Sequence, residues 1–100
     1  MRIGTTPTHT FIFPFETSLI KELKITYAQK KKTVLVKYLD DCEISQNSVS
    51  VPLTQEDTFL FAENVNVEVQ ARVLTMQGDA LASDIRIVTA GRCLDSEVLE

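Results

Sequence analysis

The 100-residue sequence has no tryptophan, one histidine, two cysteines, three glycines and three prolines. So few glycines and prolines, together with 24% charged residues, exclude collagen-like, low-complexity and disordered chains. The two cysteines are too few for a disulfide scaffold, and they lack the C-x-x-C spacing of a zinc or redox site. We therefore expect a single globular domain over residues 1–100, because a chain of this length with 44% hydrophobic residues can bury a core of its own.

Long apolar runs are also missing. The nearest candidate for the apolar part of a signal peptide, residues 11–15, is short and is interrupted by Pro14. Nothing approaches the roughly 20 apolar residues that span a bilayer. We expect a protein without leader or membrane segment, made in the cytoplasm or assembled there and carried elsewhere later.

The sequence is rich in β-branched residues, with 10 valines, 7 isoleucines and 11 threonines. Such residues favour strands, because branched side chains pack well on a pleated surface. Apolar and polar residues alternate from Val65 to Val73, which predicts a half-buried antiparallel strand. The same period predicts five more inward-facing stripes: Phe11, Phe13 and Phe15; Leu23, Ile25 and Tyr27; Val34, Val36 and Tyr38; Val49, Val51 and Leu53; and Leu81, Ile85 and Ile87.

Short polar segments separate the predicted strands. Residues 30–32, all lysine, and residues 77–79 have the length of hairpin turns, and residues 42–44 have room for a brief edge strand. Thr54 followed three residues later by Asp57 predicts a capped helical turn over residues 54–58. Phe59 or Phe61 is then expected to close one end of the core.

Strands that recur about every 8 to 12 residues, with no helical pattern between them, are typical of a sandwich or barrel. We predict an all-β fold, an antiparallel β-sandwich of about seven strands with one short helical turn near residues 54–58. Residues 53–58, L-T-Q-E-D-T, resemble the L-x-x-E-D-T turn of immunoglobulin variable domains. That resemblance implies an immunoglobulin-like topology. Without tryptophan, or cysteine in the corresponding strands, the chain is not expected to belong to the antibody family itself.

A second resemblance covers most of the chain. Its segments are residues 4–7 (G-T-T-P), 11–15 (F-I-F-P-F), 25–29 (I-T-Y-A-Q), 53–61 and 78–85 (G-D-A-L-A-S-D-I). They resemble small proteins encoded in phages and prophages of Gram-positive bacteria, which are associated with virion structural modules. The resemblance implies a setting, with synthesis in the bacterial cytoplasm and use during assembly of the particle or in the virion.

No constellation of residues predicts catalysis, a cofactor or a metal site. His9 is expected to have a surface or edge role, and no second histidine is present for a serine or cysteine nucleophile. Cys42 and Cys93 are expected to be packed, reduced side chains, unless the fold brings their Cα atoms within about 7 Å for a disulfide. The acids near Asp40 lack EF-hand spacing, and no glycine-rich phosphate-binding motif occurs.

Charge is distributed unevenly along the chain. Residues 1–39 carry seven basic and two acidic residues, a net charge of +5, whereas residues 40–100 carry three basic and twelve acidic residues, a net charge of −9. The candidate interaction residues are the lysines of the predicted hairpin and the acids that follow it: Lys21, Lys24, Lys30, Lys31, Lys32, Lys37, Asp40, Asp41 and Glu43.

Three hypotheses account for the basic hairpin. Its lysines keep an exposed edge strand unpaired, or a basic face of one copy meets an acidic face of the next in head-to-tail association. The third hypothesis, nucleic-acid binding, is disfavoured by the acidic total and by tyrosines predicted to face inward. Leu94, Val98 and Leu99 also have the spacing of a short amphipathic helix, which would either dock on a neighbouring subunit or fray.

These patterns together predict a non-enzymatic structural or interaction module, a phage or prophage protein of the neck, tail or baseplate. Its expected partners are other virion proteins or itself, without membrane or nucleic acid. The alternative is an adhesive or ligand-binding immunoglobulin-like module, since sandwiches present loops that can hold carbohydrate or protein.

Overall fold

A computed structural model describes all of residues 1–100 and consists of two antiparallel sheets packed together. The strands are β1 (Thr8–Ile12), β2 (Ile20–Gln29), β3 (Lys32–Tyr38), β4 (Glu43–Ile44), β5 (Ser48–Pro52), β6 (Asn66–Thr75), β7 (Ala80–Ala82) and β8 (Arg86–Thr89). One helix, α1 (Gln55–Phe59), and two 3-10 turns at Thr17–Leu19 and Leu39–Asp41 connect them. The predicted all-β sandwich with a single short helix is confirmed.

The smaller sheet has the order β1-β5-β4, and the larger has the order β3-β2-β6-β7, with β8 also paired to β6. Both predicted hairpin turns join neighbouring strands, β2 to β3 and β6 to β7. The pairing of β2 with β3 in one sheet departs from the immunoglobulin-like expectation, because the second and third strands of immunoglobulin domains lie in opposite sheets.

The core lies between the two sheets and is supplied mainly by β2, β5 and β6. Alternate residues of these strands are buried as predicted, and Phe61 closes the end beside Tyr27, with 5.8 Å between ring centroids. The buried apolar residues from the strands and the Phe61 end are Phe11, Ile20, Leu23, Ile25, Tyr27, Val49, Val51, Leu53, Phe61, Val67, Val69, Ala71 and Val73. This packing fixes β2, whose remaining residues then lie on the outer face of the larger sheet.

The predicted inward face of β3 is wrong for Val36 and Tyr38, whereas Val34 is partly buried and packs against the core as predicted. Val36 and Tyr38 pair with residues on the outer face of β2, and Tyr38 is 55% exposed. Leu35 and Lys37 instead pair with the two buried residues at the centre of β2. Three consecutive apolar residues, 34 to 36, leave the alternation of this strand ambiguous, and pairing with β2 decides which of them face inward.

The predicted stripe of Leu81, Ile85 and Ile87 is also wrong. The segment forms two strands rather than one, and all three side chains are exposed. Between β7 and β8, which both pair with β6, Ser83 interrupts the regular ladder. Its N–H donates to the Ala71 carbonyl at 2.9 Å, and its Oγ accepts from the Ala71 N–H at 3.0 Å. Because the segment lies at the edge of the sheet and is interrupted at Ser83, its apolar side chains stay outside the core.

No helix forms beyond β8, so the predicted helical tail is wrong. Within residues 94–100, the Leu99 backbone is held by the Gln55 side chain of α1, whose Nε2 donates to the Leu99 carbonyl and whose Oε1 accepts from the Leu99 N–H, both at 2.9 Å. Leu94 is 90% exposed. No helix in the structure has the length and apolar character needed to cross a bilayer.

Candidate functional site

The tip of the β2–β3 hairpin consists of lysines in an unfavourable backbone conformation. Lys30 and Lys31 have φ angles of 50° and 66°. Two-residue hairpin turns of this kind favour Asn-Gly, because other L-residues are strained in the left-handed region. Together with Lys32, all three lysines are exposed, so the turn places a cluster of positive charge at one end of the hairpin.

Lys37 does not belong to this exposed surface. Its Nζ lies 2.9 Å from Asp57 Oδ2, and the two side chains are only 18% and 15% exposed. Burial alone would raise the pKa of Asp57, but hydrogen bonds from Thr54 and the pairing with Lys37 outweigh it and lower the pKa. Since Thr54 Oγ1 also accepts from the Asp57 N–H at 3.1 Å, the predicted cap of α1 is confirmed. Lys37 therefore ties β3 to α1.

The predicted acidic residues lie at the other end of β3. Asp40 and Asp41 form the turn that follows the strand, Glu43 begins β4, and all three are exposed. Asp41 Oδ2 accepts from the Tyr38 N–H at 2.9 Å. Because β3 has seven residues, the acidic turn and the lysine tip are separated by about 20 Å.

The outer face of the larger sheet carries a second group of cations. Lys24 pairs directly with Arg72 on β6 and with Tyr38 on β3. Lys21 is added nearby by a bulge in β2. Like charges directly opposite each other on neighbouring strands are destabilising, so this arrangement is an energetic cost to the sheet.

These cations line a groove of about 620 Å³. Its apolar contributors include Tyr38, Leu39, Leu74 and Leu81, and its charged residues are Lys21, Lys24, Arg72, Glu22 and Asp40. The ion pairs of the structure are Lys37 with Asp57 and Arg92 with Glu63, so the charges of the groove are unpaired. The groove has the chemistry to bind a group that is both acidic and apolar.

Sequence reasoning missed Arg72, because this residue lies in the acidic part of the chain. Its position on the polar side of the alternating strand was visible in the sequence. Only the pairing of β2 with β6 brings it beside Lys24.

A polar cluster lies on the inner side of the sandwich. His9 Nδ1 and Tyr27 Oη are 2.7 Å apart. Burial lowers the pKa of His9, with the chain amino group and Arg86 acting in the same direction, and burial raises the pKa of Tyr27 well above its usual range. These shifts favour the neutral forms, so the pair is an uncharged, partly buried hydrogen bond at the margin of the core.

Neither cysteine forms a disulfide. Burial and the neighbouring Asp41 raise the pKa of the Cys42 thiol, which donates to the Tyr38 carbonyl at 3.3 Å. A thiol that stays protonated is a weak nucleophile and a weak metal ligand. No three histidine, cysteine or acidic side chains converge as metal ligands would.

A second groove, of about 300 Å³, opens between the segment after β1 and strands β7 and β8. Phe11, Phe13 and Phe15 line it, and Arg86 lies over the Phe11 ring at 4.4 Å from its centroid. The Arg86 guanidinium also donates to the Thr10 carbonyl at 2.8 Å. The only cation of this groove is therefore already engaged within the chain.

The sequence and the fold match no known protein family, no curated protein and no solved structure. The basis for a proposed function is therefore the set of surfaces on the chain itself. These are a lysine tip, an acidic turn about 20 Å away, and an unpaired cationic groove between them on the outer face of the larger sheet.

Proposed function

We propose that this chain is a non-enzymatic structural module that acts through contacts with other copies of itself or with other proteins of a phage or prophage particle. The observation that carries the proposal is the separation of charge along the β2–β3 hairpin, basic at residues 30–32 and acidic at residues 40–43. A surface of one copy that binds a different surface of the next is a heterologous contact, which generates rings or filaments.

The backbone of the lysine tip supports this proposal. Lys30 and Lys31 occupy left-handed positions that glycine or asparagine would occupy with less strain. Strain retained at an exposed turn points to a role for the side chains that are placed there. Here those side chains supply positive charge.

The exposed surface of the molecule supports it as well. The accessible area is 6,493 Å², whereas a compact monomer of this mass exposes about 5,700 Å². Several large apolar side chains contribute to it, among them Leu81 and Ile87. Exposed apolar area beside charged residues is typical of surfaces that bind other proteins.

The phage setting is supported by the resemblance of residues 4–7, 11–15, 25–29, 53–61 and 78–85 to phage and prophage proteins. In that setting the chain is made in the bacterial cytoplasm and incorporated during assembly. Contact through complementary surfaces is then its mode of action.

Sedimentation velocity of the full chain tests the proposal. We expect the mean mass to rise with protein concentration in low salt and to fall between about 0.05 M and about 0.5 M salt, because salt screens contacts between exposed charges. A variant with Lys30→Gln, Lys31→Gln and Lys32→Gln should associate more weakly at low salt. A chain that remains monomeric at every concentration and salt level contradicts homotypic association.

The second candidate function, an adhesive or ligand-binding module, is favoured by the second groove, which is lined by aromatic rings near Phe13. Aromatic rings lining a concave surface are typical of ligand sites. A glycan and peptide array probed with the labelled chain tests it. Reproducible binding that Phe13→Ala abolishes would favour this candidate, and an array without hits would count against it.

A further inference from the structure

We propose that the groove lined by Lys21, Lys24 and Arg72, called here the cationic groove, receives residues 94–100 of a second copy of this chain. The inference rests on the proposed function of self-association, to which it adds a second pair of contacting surfaces besides the lysine tip and the acidic turn. The segment of one copy lies across the outer face of β2 and β6 of the next.

The charge pattern of the groove calls for an acidic occupant. Lys24 and Arg72 lie directly opposite each other on neighbouring strands, and neither has a carboxylate within ion-pair distance. A bound anion converts their mutual repulsion into attraction to a common partner. Glu22 and Asp40 at the groove offset part of the positive charge, so the occupant is a short segment with few carboxylates rather than a polyanion.

The apolar lining of the groove calls for apolar side chains in the same occupant. Tyr38 and Leu81 line it and are exposed in the isolated chain. Exposed ion pairs alone contribute little to binding, whereas covering apolar area stabilises a contact by about 25 cal/mol per Å² before the losses of association are deducted.

Residues 94–100, L-D-S-E-V-L-E, combine both properties. Their carboxylates, Asp95, Glu97 and Glu100, are exposed and take part in no ion pair. Leu94 and Leu99 are exposed as well. The Gln55 contact to the Leu99 backbone tethers the segment at one point, and Asp95 Oδ1 accepts from the Glu97 N–H at 3.0 Å within the segment, which leaves Glu97, Glu100 and the exposed leucines available to a neighbour.

The other acidic segment fits the groove less well. Asp40 lies in the groove wall of its own chain. That turn is also fixed as a 3-10 helix between β3 and β4, whereas residues 94–100 form no helix or strand. The second groove, near Phe13, is a poorer binding site for an acidic segment. Its cation, Arg86, already donates to a backbone carbonyl and lies over an aromatic ring.

A charge exchange tests the pairing in the full chain. The first variant carries Lys24→Glu with Arg72→Glu, and the second carries Asp95→Lys, Glu97→Lys and Glu100→Lys; all five positions are exposed. Each variant alone should associate more weakly than the parent chain by about tenfold or more, equivalent to about 1.4 kcal/mol. An equimolar mixture should recover association, because each acidic groove then meets a basic segment and each basic groove meets an acidic one.

The matched control is Lys30→Glu with Lys31→Glu, which changes charge as much as the groove variant does but at the hairpin tip. Mixing this control with the basic-segment variant should give no association beyond the sum of the two measured separately, because the control has no acidic groove for the basic segment to enter. Circular dichroism of every variant verifies folding. A groove variant that associates like the parent chain, or a mixture that recovers nothing, overturns the proposal.

A peptide experiment separates failure of this pairing from failure of the proposed function. A fluorescent peptide of residues 94–100 is titrated with the basic-segment variant, whose own segment cannot occupy the groove. Fluorescence anisotropy should show binding that the added Lys24→Glu and Arg72→Glu changes weaken by about tenfold or more, and that a peptide of scrambled order does not reproduce. Absence of binding overturns the pairing even if the parent chain self-associates as the proposed function requires, whereas a parent chain that stays monomeric contradicts self-association itself and, with it, this contact between copies.

Discussion

At the scale of single residues, identical side chains on the same hairpin have different roles. Lys24 lies on the outer face beside Arg72 and is exposed, whereas Lys37 points toward α1 and pairs with Asp57 at 2.9 Å. A charged group that is largely removed from water is stabilised only if a partner compensates its lost hydration. Loss of the ion pair should therefore lower stability at Lys37, whereas Lys24 has no such pair to lose.

Lys37→Gln should lower the free energy of unfolding by about 1 to 3 kcal/mol, because the mostly buried Asp57 carboxylate loses a charged hydrogen-bond donor. The matched control Lys24→Gln should change it by no more than about 0.5 kcal/mol. Urea denaturation at neutral pH measures both. Equal effects of the two substitutions would contradict the assignment of Lys37 to the interior of the contact between β3 and α1.

His9 should make stability depend on pH between its lowered pKa in the folded protein and its ordinary value of 6.5. The unfolded chain binds more protons in this window, so the contribution of His9 is fully present above pH 6.5 and is lost as the pH falls through the lowered pKa. Urea denaturation across the window should show this loss, and His9→Gln should flatten it.

Asp57 provides an internal comparison for the His9 measurement. Its pKa is lowered below the ordinary value of 3.8, so its contribution is present above pH 3.8 and is lost as the pH falls through the folded-state pKa. The acidic transition should therefore persist in His9→Gln. If His9→Gln leaves the slope of stability below pH 6.5 unchanged, the burial of His9 is not the source of that slope.

At the scale of elements, the larger sheet protects its edges by local irregularities. β3, an edge strand, carries the inward-facing Lys37, and its pairing with β2 is shifted by a bulge at Tyr27 and Ala28. On the other edge, Ser83 interrupts the pairing with β6 at the point between β7 and β8. Inward charges, bulges and short strands all discourage a sheet edge from adding a foreign strand, which favours association through faces and segments instead.

The hairpin tip separates the effect of backbone conformation from the effect of charge. Lys30→Asn with Lys31→Gly should raise the free energy of unfolding by about 1 kcal/mol, because it relieves left-handed strain. The matched control, Lys30→Gln with Lys31→Gln, removes the same charges without that relief. It should leave stability nearly unchanged, while both variants weaken association to a similar degree. Thermal and urea denaturation with sedimentation velocity provide the two measurements.

At the scale of the whole molecule, the chain is flattened, with extents of 46 × 30 × 16 Å and a radius of gyration of 14.2 Å. A compact domain of 100 residues has a radius of gyration of about 13 Å. The surface beyond that of a compact monomer, about 800 Å², is of the size that one partner buries in a standard interface. Stability is thus concentrated in a thin core, and much apolar area remains available for contacts with other chains.

Two isoleucines test this distribution of stability. Ile25 is fully buried at the centre of β2, whereas Ile87 on β8 is 64% exposed. Ile25→Ala should cost about 2 to 5 kcal/mol of stability through lost burial and the cavity left behind. Ile87→Ala, the matched control, should cost no more than about 0.5 kcal/mol. Comparable losses at the two positions would contradict the placement of β8 at the margin of the core.

Much of the fold could be predicted from sequence because it depends on neighbours along the chain. Alternation identified the strand at residues 65–73, and the spacing of Thr54 and Asp57 identified the start of α1. The tip lysines and the acidic turn were likewise recognised as local features. The candidate cationic groove was recognised only in part, since Lys21 and Lys24 were selected and Arg72 was not.

The sequence by itself thus determined an all-β chain, its main strands, its short helix and its uneven charge, since each of these follows from residue type and local spacing. Tertiary structure decided which face of β3 is buried, because residues 34 to 36 are apolar on both sides and only pairing with β2 distinguishes them. It also decided that Lys37 is neutralised by Asp57 and that Lys24 stands beside Arg72. These pairs join residues that are far apart in the chain, so the net charges of +5 and −9 along the sequence become a surface only when the strands are paired.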